Sequence, residues 1–246
     1  MSQDRSRTIY QESAAGLARR ALGALRGAGG TAMVAEHVES ERDPGAALAA
    51  IRILGADVLA PAVLGGAAFH PLDAEAVALS FTALPPSRVE PLPPPAGPEE
   101  PWLMAWRDWG TVTLLTVLTS GDTARMTAPR PSSPPAGAPA VEDGTGWAAW
   151  SVRMGRLCAL ALPGLESPVH DAARAAPLAL ARGATRAVLR RDYPTAARIV
   201  RWLAWLRADG VELPLDPVPL VEHIALMAGG DRLALDTAIA RRLAAV

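Results

Sequence analysis

The sequence predicts a mainly α-helical protein, an irregular bundle of many helices with two long proline-rich loops. One observation behind this prediction is that all seven tryptophans fall in three clusters with helical spacing. Residues three or four apart share one face of a helix, so each cluster is expected to form an aromatic ridge where helices pack. The clusters are Trp102, Trp106 and Trp109; Trp147 and Trp150; and Trp202 and Trp205.

Two further observations concern where helices begin and where they cannot form. Asp43-Pro44 and Asp216-Pro217 are typical helix starts, because Asp accepts from free N–H groups and proline suits the first turn. Thirteen of the 23 prolines lie in two stretches, 85–101 and 129–139. Proline lacks a backbone donor, so both stretches are expected to be surface loops. They divide the chain into helical blocks.

The first block, 7–84, is expected to hold several helices. A first helix over 7–26 should end at the glycine-rich run 27–30. Thr31 is expected to cap a second helix that reaches about residue 42. The third helix opens at Asp43-Pro44 and should stop at Gly55.

The end of this block is ambiguous between a helix and a strand. Val77, Leu79 and Phe81 alternate as in a strand, and Pro85-Pro86 provides a turn toward residues 88–92. One small β-hairpin near 76–92 is therefore the alternative to a helix there.

The middle block, 99–127, carries the Trp102, Trp106 and Trp109 ridge on a helix over 99–120, which Gly110 is expected to interrupt. This block is too short to bury its ridge alone. The three blocks are therefore expected to pack as a single helical domain over 1–246.

The third block, 144–246, shows the clearest helical pattern. An apolar stripe starts at Trp147 and ends at Pro163-Gly164. Helices over 169–182, 185–191, 193–208, 217–228 and 232–245 are expected to follow. Asp192 should cap the helix over 193–208, whose expected buried face is Ile199, Trp202, Leu203 and Leu206.

Composition indicates which partners are not expected and in which compartment the protein is expected. The formal net charge is −1, which gives no global field for nucleic acid or an anionic membrane. Cys158 is the only cysteine, which fits a reducing compartment. Residues 1–7 are polar and do not resemble a signal peptide, and no run reaches the roughly 18 apolar residues that span a bilayer. A cytoplasmic protein is expected.

Motifs for chemistry are weak, and no catalytic residue or cofactor is expected. The glycine run 27–30 lacks the preceding strand of a dinucleotide site. His37 and Glu41 have a spacing that can chelate a metal, and Glu222-His223 could add a pair, although a solvated acidic face is the favoured interpretation. Cys158 lies within the apolar stripe and is expected to be a small buried residue.

The strongest positive patch combines arginine with nearby tryptophan. Its arginines are Arg182, Arg186, Arg190, Arg191, Arg198 and Arg201. Nucleic acid is not expected, whereas an acidic protein partner suits the patch because Arg and Trp are enriched at interface hot spots. The candidate partner-binding residues are Arg190 and Arg191 with the ridge Trp102, Trp106 and Trp109, which lies between the two proline-rich loops.

The order of several segments resembles the immunity-49 family of bacterial polymorphic-toxin systems. They are Asp43-Pro44, Trp102-Leu103-Met104-Ala105-Trp106, Gly121-Asp122-Thr123-Ala124-Arg125-Met126, the Trp147/Trp150 helix, Leu189-Arg190-Arg191-Asp192, the segment 219–229 and a short final helix. Ala240-Arg241-Arg242-Leu243 stands where the family ends on an aromatic-Leu-Pro sequence. The resemblance implies a helical protein that binds and blocks a cognate toxin and performs no chemistry.

The functional hypothesis is therefore a non-enzymatic, cytoplasmic binding protein that neutralises a toxin. The alternative is a helical enzyme or small-ligand-binding protein of bacterial secondary metabolism, with a pocket between helices. The sequence leaves the identity of the partner and the oligomeric state open.

Overall fold

A computed structural model describes residues 2–28, 32–66, 69–87, 89–119, 128–133 and 146–245, and it is helical in the way the sequence predicts. The helices are α1 (Ser2–Leu25), α2 (Met33–Ser40), α3 (Pro44–Leu54), α4 (Ala60–Gly65), α5 (Pro71–Ala83), α6 (Glu99–Leu118), α7 (Trp147–Arg156), α8 (Pro168–Ala175), α9 (Pro177–Leu189), α10 (Tyr193–Ala208), α11 (Pro217–Met227) and α12 (Asp231–Ala244). Short 3₁₀ helices occupy Gly55–Leu59 and Cys158–Leu160. Within these ranges there is no β-strand.

Helix α10 lies at the centre of the second half of the bundle. It packs against α7, α9, α11 and α12, and every residue from 199 to 206 is buried. The predicted buried face of α10 is confirmed, since Ile199, Trp202, Leu203 and Leu206 are all fully buried. On the other side α1 packs on α3 and α12, and one continuous apolar core runs from α1 to α12.

The predicted helix starts are confirmed where an aspartate precedes the helix. Asp43 accepts from the amides of Gly45 and Ala46, at 2.9 and 3.1 Å. Asp192 accepts from the Thr195 amide, and Asp216 accepts from the Val218 amide. These contacts are local, so the sequence alone determines them.

The alternative of a β-hairpin near 76–92 is wrong, because α5 runs from Pro71 to Ala83 and residues 89–92 form no strand. His70 caps this helix through Nδ1, which accepts from the Leu72 amide. Val77 and Phe81, which suggested alternation, are also four apart and share the buried face of a helix, while Leu79 is exposed. The two periodicities overlap at these positions.

Of the glycines expected to end or break a helix, Gly110 acts differently. Gly110 lies inside the continuous helix α6, where a Cβ would come within 2.5 Å of Leu160 Cδ2. It therefore permits close packing rather than a break. Gly55 ends α3 as predicted: it is the C-cap residue, with φ +62°, and it also starts the 3₁₀ turn that leads into α4. Gly27 (φ +78°) likewise follows the end of α1 as predicted.

The bounds of α8 and α9 and the first residue of α2 also differ from the prediction. The helices expected over 169–182 and 185–191 are instead α8 and α9, separated at Ala176. The N-cap residue of α2 is Ala32, not Thr31, and it makes no side-chain cap. Thr31 lies outside the described residues, as do Gly29 and Gly30 of the glycine run, the motif 121–126 and most of the second proline-rich stretch.

The segment Pro44–Gly65 revises the expectation that no stretch is long and apolar enough to cross a membrane. It forms 22 continuous helical residues of mean hydropathy 1.9, the one such helix in the described part of the chain. Of its most apolar window, 72% is buried inside the fold, as is typical of a core helix. A soluble protein is compatible with this arrangement.

The middle tryptophan ridge is not an exposed surface. Trp102 and Trp106 are fully buried and Trp109 is 9% exposed, because α6 packs against both 3₁₀ turns. The expectation that this ridge reaches a partner is thus corrected by its neighbours, which cover it. Trp150 and Trp202 are buried as predicted, whereas Trp147, also expected in the core, is only half-buried.

Candidate functional site

A buried cluster of charged side chains lies between α10, α12 and the 3₁₀ turn Gly55–Leu59. Arg201 is fully buried, and its Nη2 donates to Asp57 Oδ1 at 2.6 Å while its Nη1 donates to Asp236 Oδ1 at 2.8 Å. Arg232 closes the cluster, since it donates to Asp236 at 3.0 Å and also to Asp57. Two arginines therefore face two carboxylates.

The charges of this cluster stabilise one another against desolvation. Burial raises the pKa of Asp57, but the positive charges of Arg201 and Arg232 outweigh it and hold that pKa below its usual value. Burial lowers the pKa of Arg201, but the neighbouring acidic groups, Asp57 foremost, together raise that pKa above its usual value. Asp57 and Arg201 are therefore both ionised at neutral pH. Removal of one partner from an ion pair at this depth is strongly destabilising, because the other charge is left buried without its counter-charge.

Cys158 borders the cluster and is buried, as the sequence predicts, although its neighbours are charged rather than apolar. Its Sγ lies 3.6 Å from Arg201 Nη1 and 3.9 Å from Asp236 Oδ1. Burial raises the pKa of the thiol in spite of the positive charge of Arg201. Cys158 is thus a protonated thiol at neutral pH, which does not suit a nucleophile.

A cavity of about 450 Å³ opens beside this cluster. Its polar walls carry Arg107, Arg156, Arg198 and Arg232, with Glu100 as the carboxylate among the lining residues. Ala15, Ile53 and Ala159 belong to its apolar side. Four guanidinium groups from four helices thus converge on one volume.

Arg107 is held in this wall by backbone rather than by a carboxylate. Its Nη2 donates to the carbonyl oxygen of Arg156 at 3.2 Å, and no carboxylate of the described residues lies within 4.0 Å of it. Burial is the main cause that lowers the pKa of Arg107. The positive charges of Arg232 and Arg198 lower it further, whereas Cys158 and Asp57 partly oppose this. The wall around Arg107 is therefore electropositive.

The second feature is an open groove of about 700 Å³ along the exposed side of α9. Trp147, Leu178 and Leu189 give its apolar part, and Leu189 is 79% exposed. Its charged residues are Arg182, Arg186 and Arg190, all exposed. The Arg186 guanidinium lies 5.9 Å from the Trp147 ring centroid, a weak cation–π contact.

The arginines of this groove differ from most arginines elsewhere on the molecule. Arg174, for example, is held by Glu166 and Asp209, and Arg241 by Glu222. In contrast, no acidic side chain of the described ranges lies within 4.0 Å of the groove arginines or of Arg191, which lies two residues beyond the end of α9 and has φ +58°. The groove therefore presents positive charge that the fold does not neutralise.

The arginine patch predicted from sequence is split by the fold. Arg182, Arg186, Arg190 and Arg191 lie on the surface as expected. Arg198 is 38% exposed and 4.0 Å from Asp236, and Arg201 lies in the buried cluster. The predicted candidates Arg190 and Arg191 are thus exposed, whereas Trp102, Trp106 and Trp109 lie in the interior.

Of the candidate metal residues, His37 and Glu41 lie near each other, and His223 packs against a different residue. His37 is buried, 3.0 Å from Ser13 Oγ and 3.9 Å from Glu41, while the His223 ring packs against Tyr193. Over the described ranges, no group of three or more His, Cys, Asp or Glu side chains is arranged to hold a metal ion.

One Ser–His pair resembles part of a hydrolase site but is sealed in the core. Ser167 Oγ lies 2.8 Å from His170 Nδ1, and His170 Nε2 is 3.0 Å from the Leu160 carbonyl oxygen. That carbonyl can only accept, so Nε2 carries the proton and Nδ1 accepts from Ser167. His170 is fully buried against Trp202 and Trp205, so the pair is structural.

Sequence reasoning missed the charge cluster, although a pattern for it exists. Asp57 and Arg201 are isolated charges within otherwise apolar helical stretches, 53–64 and 199–206. A charge in such a stretch is buried only when it is paired. The sequence gives no indication of which carboxylate pairs with which arginine.

Comparison of the chain with protein-family models, with curated protein sequences and with solved structures gives no match.

Proposed function

We propose that this chain is a non-enzymatic binding protein that neutralises a toxin by stoichiometric association. The groove along α9 is the proposed docking surface, and the partner presents an acidic patch to it. The main support is that an exposed Leu189 and a half-buried Trp147 lie beside four arginines without a carboxylate partner among the described residues. These are Arg182, Arg186, Arg190 and Arg191.

The residue types and the charge of this groove suit an acidic protein partner. Trp, Arg and exposed apolar residues are the types that contribute most to interface hot spots. Guanidinium groups that lack an internal carboxylate can form bidentate pairs with Asp or Glu of a partner. Positive charge gathered in one groove also speeds the encounter with an acidic protein.

Two further points support this proposal over catalysis. Cys158 and the Ser167–His170 pair are buried and lack an activated nucleophile. The end of α9, Leu189-Arg190-Arg191-Asp192, is also one of the segments that resembles the immunity-49 family. A cytoplasmic site of action is part of the proposal. The alternative, a small-ligand-binding protein, draws on the arginine-lined cavity.

The experiment is co-expression of the full chain with the product of the adjacent gene. We expect the neighbouring product to be toxic alone, and to be harmless and to co-purify as a stable complex when the chain is present. Toxicity that is unchanged by co-expression contradicts the proposal.

Charge reversal locates the surface. The double variant Arg186→Glu/Arg190→Glu should weaken the complex at least about a hundredfold, since two charged contacts are lost and become repulsive. Arg42→Glu, on an exposed residue between α2 and α3, is the matched control and should bind as the unmodified chain does. Equal binding by both variants contradicts the α9 groove as the docking surface.

A further inference from the structure

We propose that the arginine-lined cavity beside Asp57 and Arg201 binds a small organic phosphate ester. The site lies on the walls formed by α6, α7, α10 and α12, with Arg107, Arg198 and Arg232 facing the phosphate. This proposal is independent of the α9 groove, since the two share no residue.

The charges around the cavity favour a dianion. Asp57 and Asp236 are matched by Arg201 and Arg232, and Glu99 and Glu100 are matched by Arg153 and Arg156. Arg107 has no carboxylate within 4.0 Å in the described ranges, and Arg198 reaches only the already shared Asp236, at 4.0 Å. Two positive charges are left over, and a phosphate monoester carries about −1.5 to −2 at neutral pH.

The arginines are held in place before any ligand arrives. Arg232 is fixed by Asp57 and Asp236, and Arg107 by the Arg156 carbonyl oxygen. Groups that are already ordered lose little entropy on binding, and a guanidinium donates to phosphate oxygens in pairs. A bound anion offsets the repulsion by Arg232 and Arg198 that helps to lower the pKa of Arg107.

The size of the cavity indicates an ester rather than free phosphate. A volume of about 450 Å³ lies within the range of pockets that hold small organic ligands. Ala15, Ile53 and Ala159 provide an apolar wall beside the arginines. The arginines therefore suit the phosphate group, and this wall suits a compact apolar body.

Calorimetric titration of the full chain with phenyl phosphate tests the proposal. We expect saturable one-site binding that inorganic phosphate competes for. Benzenesulfonate, a monoanion of similar shape, should bind at least about tenfold more weakly, since it matches only one of the two unpaired charges.

The variants Arg107→Gln and Arg198→Gln should each lower the affinity for phenyl phosphate at least about tenfold, because each removes one hydrogen bond between charged groups. Arg198 is partly exposed, so its variant keeps the test valid if Arg107→Gln fails to fold. Arg182→Gln, in the α9 groove, is the matched control and should bind normally.

Absence of saturable binding, or equal affinity in Arg198→Gln and Arg182→Gln, overturns the proposal. Binding of inorganic phosphate without the ester overturns the assignment of an organic ligand. If benzenesulfonate binds as tightly as phenyl phosphate, the proposed preference for a doubly charged ligand is wrong.

Discussion

Asp57 and Arg201 are 144 residues apart in sequence, yet Arg201 donates to both carboxylate oxygens of Asp57, at 2.6 and 2.9 Å, with neither side chain exposed. This pair joins the 3₁₀ turn of the first block to the central helix of the third. It also supports Arg232, which lines the proposed anion site. The pair therefore links the two halves of the fold to the cavity.

We expect Asp57→Asn to lower the free energy of unfolding by about 3–5 kcal/mol, because it leaves Arg201 and Arg232 with one carboxylate in a buried site. Urea denaturation measures the change. The matched control is Asp216→Asn in the exposed pair with Arg207, which keeps the cap of α11 and should cost at most about 1 kcal/mol. Similar losses in both variants would contradict the claim that the buried pair stabilises the fold more than the exposed pair does.

Asp73 connects α5 to α2, because its Oδ1 accepts from the amides of Val34 and Ala35 at 2.8 and 2.9 Å. It supplies the cap that Ala32 cannot. Burial raises the pKa of this carboxyl although both amides lower it, so its negative charge is not the main source of stability.

Asp73→Ala should therefore cost about 1–2 kcal/mol and speed hydrogen exchange at the amides of Val34 and Ala35. Asp73→Asn keeps an acceptor oxygen and should cost less. An alanine variant with unchanged exchange at these two amides would sink this account of the α2 cap.

His170 should make stability depend on pH. Burial lowers its pKa, and the hydrogen bond to the Leu160 carbonyl only partly offsets this. The unfolded chain has a histidine pKa of about 6.5, so below that value the unfolded state binds more protons than the folded state. The free energy of unfolding that depends on neutral His170 is therefore fully present above about pH 6.5. It falls as pH drops toward the lower pKa of the folded state, by at most about 1.4 kcal/mol per pH unit.

Unfolding curves between about pH 5 and 7.5 check this prediction. His170→Gln should reduce the slope of the free energy of unfolding against pH, whereas Gly65→Ala, which changes no titratable group, should leave that slope unchanged. His37, whose pKa burial also lowers, should account for slope that persists in His170→Gln. An identical slope in His170→Gln and the unmodified chain would argue against titration of His170.

Gly183 marks the contact between α7 and α9. A Cβ there would come within 2.4 Å of Ser151 Cβ, which no rotamer change can relieve. Gly183→Ala should therefore cost about 1–3 kcal/mol, even though alanine favours a helix by about 1 kcal/mol over glycine. Thermal unfolding gives the difference.

A compensating change tests the cause. Ser151→Gly in the same chain removes the clashing atom and should restore most of the loss. Gly65→Ala, where no atom lies within 4 Å of a new Cβ, is the control and should be nearly neutral. A double variant no more stable than Gly183→Ala would falsify the steric explanation.

The predictable parts of the fold are those that depend on neighbours in sequence. Asp43, Asp192 and Asp216 mark helix starts because each aspartate accepts from amides two or three residues ahead. The four residues predicted to be buried on α10 follow from apolar spacing, whereas burial of the whole span 199–206 depends on the helices that pack around it. Arg190 and Arg191 are exposed as predicted, since they end a helix at a polar turn.

The sequence by itself determined the helical class, these helix starts and the apolar stripes, because caps and periodicity act within a few residues. Only the tertiary structure decided that the ridge Trp102, Trp106 and Trp109 is covered. It also decided that Arg201 leaves the surface patch to meet Asp57. Burial and ion pairing depend on which distant segments pack together, and the net charge of −1 conceals a local excess of arginine at the cavity.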